Sequence, residues 1–167
     1  MAQYWIDLNV LVEAKDRYYG FDIARGFWDF LDQHSATSTI QSPMRVYYEI
    51  MKYGDDALST WARERSETRL FVEPSDDVQE AVTDIADFVN GRYTGAEASN
   101  FLDGADPWLI AHAKCDQSSV VTLETLVGPN SRKAKIPNVC QEFGVQWLDT
   151  FTMLRELRAS FVLRRSQ

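Results

Sequence analysis

The sequence has few of the residues that build redox centres and zinc sites. Its 167 residues include only two cysteines and two histidines. Cys115 and Cys140 lack the Cys-x-x-Cys spacing of a zinc site or a redox pair, so we expect two reduced, packed thiols. We expect His34 and His112 to have ordinary surface or packing roles, which excludes a histidine-centred metal site.

Long apolar runs and targeting signals are also missing. No run of about 18 apolar residues occurs, and the first residues lack a basic segment followed by an apolar one. We therefore expect a cytoplasmic protein that does not contact a membrane. The phosphate-binding loop Gly-x-x-x-x-Gly-Lys-Ser/Thr, the Gly-x-Ser-x-Gly elbow and His-Glu-x-x-His are absent too, which excludes the catalytic classes that depend on them.

Positive charge is scarce and unevenly distributed. The net charge of −8 argues against a generic nucleic-acid binder, because Lys and Arg normally carry phosphate affinity. From Asp55 to Asp106 there are 13 acids and 4 bases, whereas from Ser131 to Gln167 there are 7 bases and 3 acids. A cationic path to a functional site therefore has these candidates: Arg25, Arg45, Lys52, Arg132, Lys133, Lys135, Arg155, Arg158, Arg164 and Arg165.

The composition is that of one globular domain, which we assign to residues 1–167. Short apolar strands alternate with amphipathic helices, which favours an α/β fold: a three-layer α/β/α sandwich around a mainly parallel sheet. The predicted strands are Tyr4–Leu8, Thr39–Gln41, Leu70–Val72, Ser118–Thr122 and Val145–Leu148. The predicted helices are Phe21 to about His34, Pro43–Gly54, Asp55–Ala62, Pro74–Gly91, Asp106–Cys115, Ile136–Phe143 and Thr152 to about Leu163. Predicted helix N-caps include Ser42, Asp55 and Asp106.

Four acids lie at the ends of these predicted elements. Asp7 closes the first strand, Glu49 lies on the helix after the second, Asp106 begins a helix, and Glu124 follows the fourth strand. Functional sites of open parallel sheets lie beyond the carboxyl ends of the strands, so we expect these acids to converge on one cleft. Mg²⁺ or Mn²⁺ would relieve their mutual repulsion, because hard cations take oxygen ligands.

Each acid taken alone also has an ordinary structural explanation. Asp106 suits a helix N-cap, Glu49 a solvated helix face and Glu124 a loop. Asp7 is harder to explain in this way, because a carboxylate within an apolar segment is enclosed and needs a partner or a metal.

The order and spacing of these residues resemble the PIN-domain nucleases, in particular a bacterial PIN-like group akin to the toxins of type II toxin–antitoxin pairs. The resemblance spans nearly the whole chain. It rests on Ile6-Asp7-Leu8-Asn9, Glu49, the run from Asp103 to Ala113, and Val121-Thr122-Leu123-Glu124. It implies a PIN-like fold and a Mg²⁺- or Mn²⁺-dependent endoribonuclease that cleaves single-stranded or structured RNA. It also implies an antitoxin as inhibitor and homodimer formation.

The resemblance assigns roles to individual residues. The catalytic metal ligands would be Asp7, Glu49, Asp106 and Glu124, with Asp103 as an additional or alternative ligand. Asn9 and Thr122 would support the site by hydrogen bonding. Leu8 stands where the family often has Thr or Ser, and Glu124 where it often has Asp. For RNA binding we assign four basic residues: Arg45, Lys52, Arg132 and Lys133.

A second hypothesis is a PIN-like module that binds RNA or a protein without cleaving. The acidic net charge supports it. Arg155 and Arg158, predicted to share a helix face at three-residue spacing, would equally suit an acidic partner.

Overall fold

The computed structural model describes residues 2–163 and contains a central sheet of five parallel strands. These strands are β1 (Tyr4–Ile6), β2 (Ile40–Pro43), β3 (Phe71–Val72), β4 (Ser119–Val121) and β5 (Gln146–Leu148). Their order across the sheet is β3-β2-β1-β4-β5, so β1 lies in the middle. Each strand lies where the sequence predicts one.

Helices cover both faces of this sheet. In the described part of the chain they are α1 (Leu8–Glu13), α2 (Arg25–Ala36), α3 (Met44–Tyr53), α4 (Ala57–Arg63), α5 (Asp76–Arg92), α6 (Gly95–Asp103), α7 (Asp106–Asp116), α8 (Ile136–Glu142) and α9 (Thr150–Glu156). A π-helical turn, Ala14–Tyr18, continues α1. The predicted three-layer α/β/α sandwich is confirmed. No helix between residues 2 and 163 has the length and apolar character needed to cross a membrane.

Two hydrophobic cores lie on opposite faces of the sheet because side chains alternate along each strand. Tyr4 and Ile6 of β1 pack into the core formed with α1, α2, α3, α4 and α9. Trp5, between them, packs into the core formed with α5, α6, α7 and α8. In β4, Val121 packs into the first of these cores and Val120 into the second. Burial on both faces explains why the central strands are apolar without alternation.

Two helices are missing from the sequence prediction. α1 begins immediately after β1, at Leu8, so the predicted strand Tyr4–Leu8 is too long by its last residues. The apolar run that follows Asp7 hides the change from strand to helix. α6 was missed because it has only a small apolar face, in which Ala98 and Phe101 are the buried residues.

Three predicted N-caps are wrong. Ser42 lies in β2, where its hydroxyl donates to the carbonyl of Ile6 at 2.9 Å, so it is not free to cap α3. Asp56, not Asp55, caps α4 by accepting a hydrogen bond from the Ser59 amide at 2.9 Å. Asp106 is the first residue of α7, and Ala105 occupies the cap position. Its carboxylate therefore does not have the capping role that would explain it structurally.

The C-terminal helix is shorter than predicted. It ends at Glu156, and Arg158 has a φ of 55°, which is outside the helical region. Arg155 and Arg158 therefore do not share a helix face, which corrects the prediction made from their spacing. Arg164 and Arg165 lie outside the described residues.

Cys140 and His112 are packed in the protein interior as predicted, whereas Cys115 is not. Cys140 is a free, buried thiol, whereas Cys115 is free but exposed, so the prediction of two packed thiols is wrong for Cys115. His112 is 4% exposed, and its ring stacks on Trp5 with 4.1 Å between the centroids. Its Nε2 atom has no hydrogen-bond partner in the described residues. Burial lowers the pKa of His112 to about 4.

We predict that His112→Phe makes stability less sensitive to mild acid. Since the pKa of His112 is lower in the folded than in the unfolded chain, the unfolded chain binds more protons between about pH 6.5 and pH 4. The free energy of unfolding should therefore decrease as the pH falls through this range. Urea denaturation at pH 7 and pH 5 should show a smaller decrease for the variant. An equal decrease in the two proteins would contradict this account.

Candidate active site

Asp7 lies at the point where the order of the strands reverses. The chain passes from β1 to β2 and β3 on one side and then returns to β4 on the other side of β1. Asp7 directly follows β1, and its amide donates to the carbonyl of Val121 at 3.0 Å. The residue is only 4% exposed. Reversal points of this kind are the usual binding crevices of open parallel sheets.

The Thr122 hydroxyl holds the Asp7 carboxylate in place. It donates to Asp7 Oδ2 at 3.0 Å and accepts hydrogen bonds from Asn9 Nδ2 and from the Glu124 amide, each at 3.2 Å. Asn9 in turn accepts from the amide of Leu123 at 3.1 Å. Asn9 thus reaches Asp7 through Thr122, and the network joins the ends of β1 and β4.

Glu49 and Glu124 each accept, through one carboxylate oxygen, a hydrogen bond from a backbone amide at the start of a helix. Glu49 Oε1 accepts from the Ala105 amide at 2.8 Å, just before α7. Glu124 Oε2 accepts from the amide of Ile136, the first residue of α8, also at 2.8 Å. Anionic groups are favoured at these positions by the free amides of the helix. Glu124 Oε1 lies 3.5 Å from Lys135 Nζ.

Gly104 keeps the space beside Glu49 open. A Cβ atom at this position would lie 3.2 Å from Glu49 Oε1. A side chain there would require the carboxylate that accepts the Ala105 amide to shift by a few tenths of an ångström. Local packing therefore explains the glycine in the turn between α6 and α7.

The four acids form one electrostatic centre. Burial raises the pKa of Asp7 from its ordinary value of 3.8 to about 7, and the charges of Glu124 and Glu49 add to the effect, while the Thr122 hydrogen bond opposes it. Burial also raises the pKa of Asp106 well above its usual range. The negative charges of Asp7, Glu124 and Glu49 raise it further. Lys135 lowers the pKa of Asp106. The centre holds more negative charge than its surroundings neutralise.

The donor atoms fit a hard divalent cation, because every candidate ligand is a carboxylate oxygen. Among residues 2–163, however, no three Asp, Glu, His or Cys side chains lie close enough together to hold one ion. Asp103 is exposed at the end of α6. The acids share an electrostatic field but do not form a closed coordination shell.

A cavity of about 450 Å³ opens beside this centre. Glu49, Gly104 and Asp106 line it, together with residues of α3 and of the end of α6 that include Asp103. The site therefore has an accessible side as well as a buried one.

Of the four basic residues predicted to bind RNA, two line this cavity. Arg45 and Lys52 lie on α3, whereas Arg132 and Lys133 are exposed on the loop between β4 and α8 and do not line it. Tyr48 and Tyr53 also line the cavity, although neither is among the residues predicted from the sequence. The signal was present, because positions 45, 48, 49 and 52 have the spacing of one helix face.

We predict that Asp7→Asn stabilises the metal-free protein at high pH. Because the pKa of Asp7 is higher in the folded chain, the folded chain binds more protons between about pH 4 and pH 7, and stability decreases as the pH rises. Asparagine removes this cost and can still accept from Thr122. In EDTA, denaturation should show the variant more stable by about 2–4 kcal/mol at pH 8 and by little below pH 4. A variant less stable at pH 8 would contradict this.

Comparison with known proteins places the chain in a family and gives its fold. A model of the family described as "Domain of unknown function (DUF4411)" matches residues 4–161. No curated protein matches the chain. A chain in the structure of VapBC2 from Rickettsia felis, bound to a DNA fragment from their promoter, is 13% identical, with a TM-score of 0.52 over 89% of this chain and 98% of that chain.

A chain of VapBC-1 from nontypeable Haemophilus influenzae is 14% identical, with a TM-score of 0.53 and the same coverage of 89% and 98%. At these identities the likeness is one of fold. The PIN-like architecture expected from the resemblance is confirmed. The chain therefore belongs to the DUF4411 family, and it has a PIN-like fold.

Proposed function

We propose that this protein is a divalent-metal-dependent endoribonuclease. The observation that carries the proposal is the buried Asp7 carboxylate, which repels Glu49, Asp106 and Glu124 beyond the carboxyl end of the central strand. A buried cluster of like charges is costly unless a cation neutralises it. Perturbed carboxylates in a crevice are also what a functional site requires.

The residues that would hold Mg²⁺ or Mn²⁺ are Asp7, Glu49, Asp106 and Glu124, with Asp103 as an additional ligand. When bound, the cation would act as a Lewis acid on the phosphodiester and neutralise the charge that develops there. Asp106 suits this role because its carboxylate does not cap its own helix. Glu49 uses one oxygen to cap a helix, which leaves the other for a ligand. Glu124 also caps a helix with one oxygen, but its other oxygen lies 3.5 Å from Lys135 Nζ and would have to exchange this contact for a bound cation.

The other residues orient these acids and receive the substrate. Thr122 and Asn9 hold the Asp7 carboxylate in one orientation. Arg45 and Lys52 line the cavity beside the acids and would contact RNA phosphates. Arg132 and Lys133 would extend this basic surface along the loop after β4.

We further infer that the enzyme is a VapC-like toxin in the cytoplasm, inhibited by an antitoxin protein. The shared fold with the two VapBC structures supports this inference. The resemblance of the motifs to toxin nucleases supports it independently. Homodimer formation is part of the same proposal.

The second candidate is a PIN-like module that binds RNA or protein without cleaving. One observation favours it: no three potential ligands of the described residues stand within reach of a single ion. Under this hypothesis Glu49 and Glu124 only cap helices, and the acids line a binding surface.

We predict that wild-type protein binds Mn²⁺ and cleaves RNA, and that Asp7→Asn reduces cleavage by roughly 100-fold or more, because a preorganised charged group is lost. Calorimetry with Mn²⁺ and cleavage of a labelled RNA pool measure the two properties. Asp87→Asn, which removes an exposed acid of α5, is the matched control and should behave as wild type.

Full cleavage by Asp7→Asn would exclude Asp7 as the central ligand. Absence of both Mn²⁺ binding and cleavage in the wild type would support the binding module instead.

We also predict that Thr122→Val weakens Mn²⁺ binding by about 10- to 100-fold, the usual effect of removing a group that orients a ligand. The exchange takes away the donor to Asp7 and the acceptor for Asn9. Thr122→Ser keeps the hydroxyl and should bind within a few-fold of wild type by the same calorimetric titration. Equal losses in both variants would assign Thr122 a packing role only.

A further inference from the structure

Two exposed tyrosines beside the acidic centre have no role in the function proposed above. Tyr53 is 77% exposed and Tyr48 is 52% exposed, and both line the cavity of about 450 Å³ that also contains Glu49 and Asp106. Neither ring belongs to the two hydrophobic cores. Large exposed aromatic side chains next to a site are typical of a binding surface.

The tyrosine at position 48 is held in a defined orientation. Its hydroxyl donates to Glu73 Oε1 at 3.1 Å, which anchors the ring tip at the neighbouring strand region. The contact raises the pKa of Tyr48, so the hydroxyl keeps its proton and remains a donor. The Tyr47 ring contacts the Tyr48 ring in a T-shaped arrangement with 5.8 Å between the centroids, and about half of Tyr48 remains exposed.

One cation of α3 lies beside the Tyr53 ring, and a second cation of the same helix lines the cavity. Lys52 Nζ lies 5.9 Å from the centroid of the Tyr53 ring. The Arg45 guanidinium lies 5.0 Å from the centroid of Trp108, which holds it at the cavity rim. Aromatic faces interleaved with cations are the arrangement that binds single-stranded nucleic acids, where bases stack and phosphates pair with Lys and Arg.

We propose that this cavity binds single-stranded RNA by stacking unpaired bases on Tyr48 and Tyr53 while Arg45 and Lys52 contact the adjacent phosphates. The inference rests on the proposed function and names two further residues, Tyr48 and Tyr53, that would determine substrate specificity at that site. A base in a duplex is already covered on both faces by its neighbours and cannot stack on a tyrosine. The tyrosines therefore select an unpaired segment for the acids that lie beside them.

The test uses the Asp7→Asn protein, in which RNA is bound and not consumed. Fluorescence anisotropy with a labelled single-stranded 12-mer, in Mg²⁺, measures the Kd. Tyr48→Ala with Tyr53→Ala should weaken binding by about 5- to 100-fold, the range for loss of base stacking. Tyr48→Phe with Tyr53→Phe keeps the rings and should change the Kd by about twofold at most. Thermal unfolding checks that each variant is folded.

Two control RNAs test whether the tyrosines bind by stacking on unpaired bases. An RNA 12-mer with abasic positions should bind the parent weakly, and the alanine exchange should then have no further effect. The same sequence in a duplex should also bind more weakly than the single strand.

Unchanged affinity for the single strand after the alanine exchange would overturn the inference and leave the rings to a protein partner. Equal affinity for duplex and single strand would overturn it as well. Wild-type cleavage that is lost in Asp7→Asn tests the nuclease separately, so the stacking inference can fail while the proposed function stands.

Discussion

The hydrogen bond from Thr122 to the buried Asp7 carboxylate is the contact on which the rest of the site depends. It joins the ends of β1 and β4, the two strands between which the sheet order reverses. Thr122 uses its full hydrogen-bonding capacity, because it also accepts from Asn9 and from the Glu124 amide. A single hydroxyl thus sets the orientation of one acid and the course of the backbone that carries another.

The surrounding acids have structural roles that are compatible with the function proposed for them. Glu49 accepts an amide hydrogen bond at the start of α7, and Glu124 does so at the start of α8. Helix N-termini carry partial positive charge, so these bonds offset part of the repulsion that concentrates on Asp7 and Asp106. The Asp106 carboxylate accepts no capping hydrogen bond from the amides of α7, so the helix does not offset its charge in this way. Burial and repulsion therefore raise the pKa values of the two deeper acids, Asp7 and Asp106, so that binding of a proton or a cation is favoured there.

Sequence reasoning located this centre because its signals are local. Asp7 stands out as a charge within an apolar segment, and its burial follows from that pattern. The hydrogen bond from Ile136 to Glu124 could not be foreseen, since the loop that brings the two together has no periodicity. Ser42 illustrates the opposite error: a Ser-Pro pair is typical of a helix start, but a cross-strand contact with Ile6 outweighed that local preference. The spacing of Tyr48 with Arg45, Glu49 and Lys52 on α3 was a usable signal, but a pattern of buried apolar residues does not include exposed rings such as Tyr48 and Tyr53.

The acidic net charge of the chain is compatible with binding RNA because charge is separated in space. Many of the acids between Asp55 and Asp106 lie on α5, and none of the α5 residues lines the cavity. The cations that do line it, Arg45 and Lys52, stand on the helix that also supplies Glu49. A polyanion would be repelled from most of the surface and attracted where these cations lie. Under the proposed function, this distribution of charge would restrict where RNA approaches and would favour the part of the cavity that carries Arg45 and Lys52.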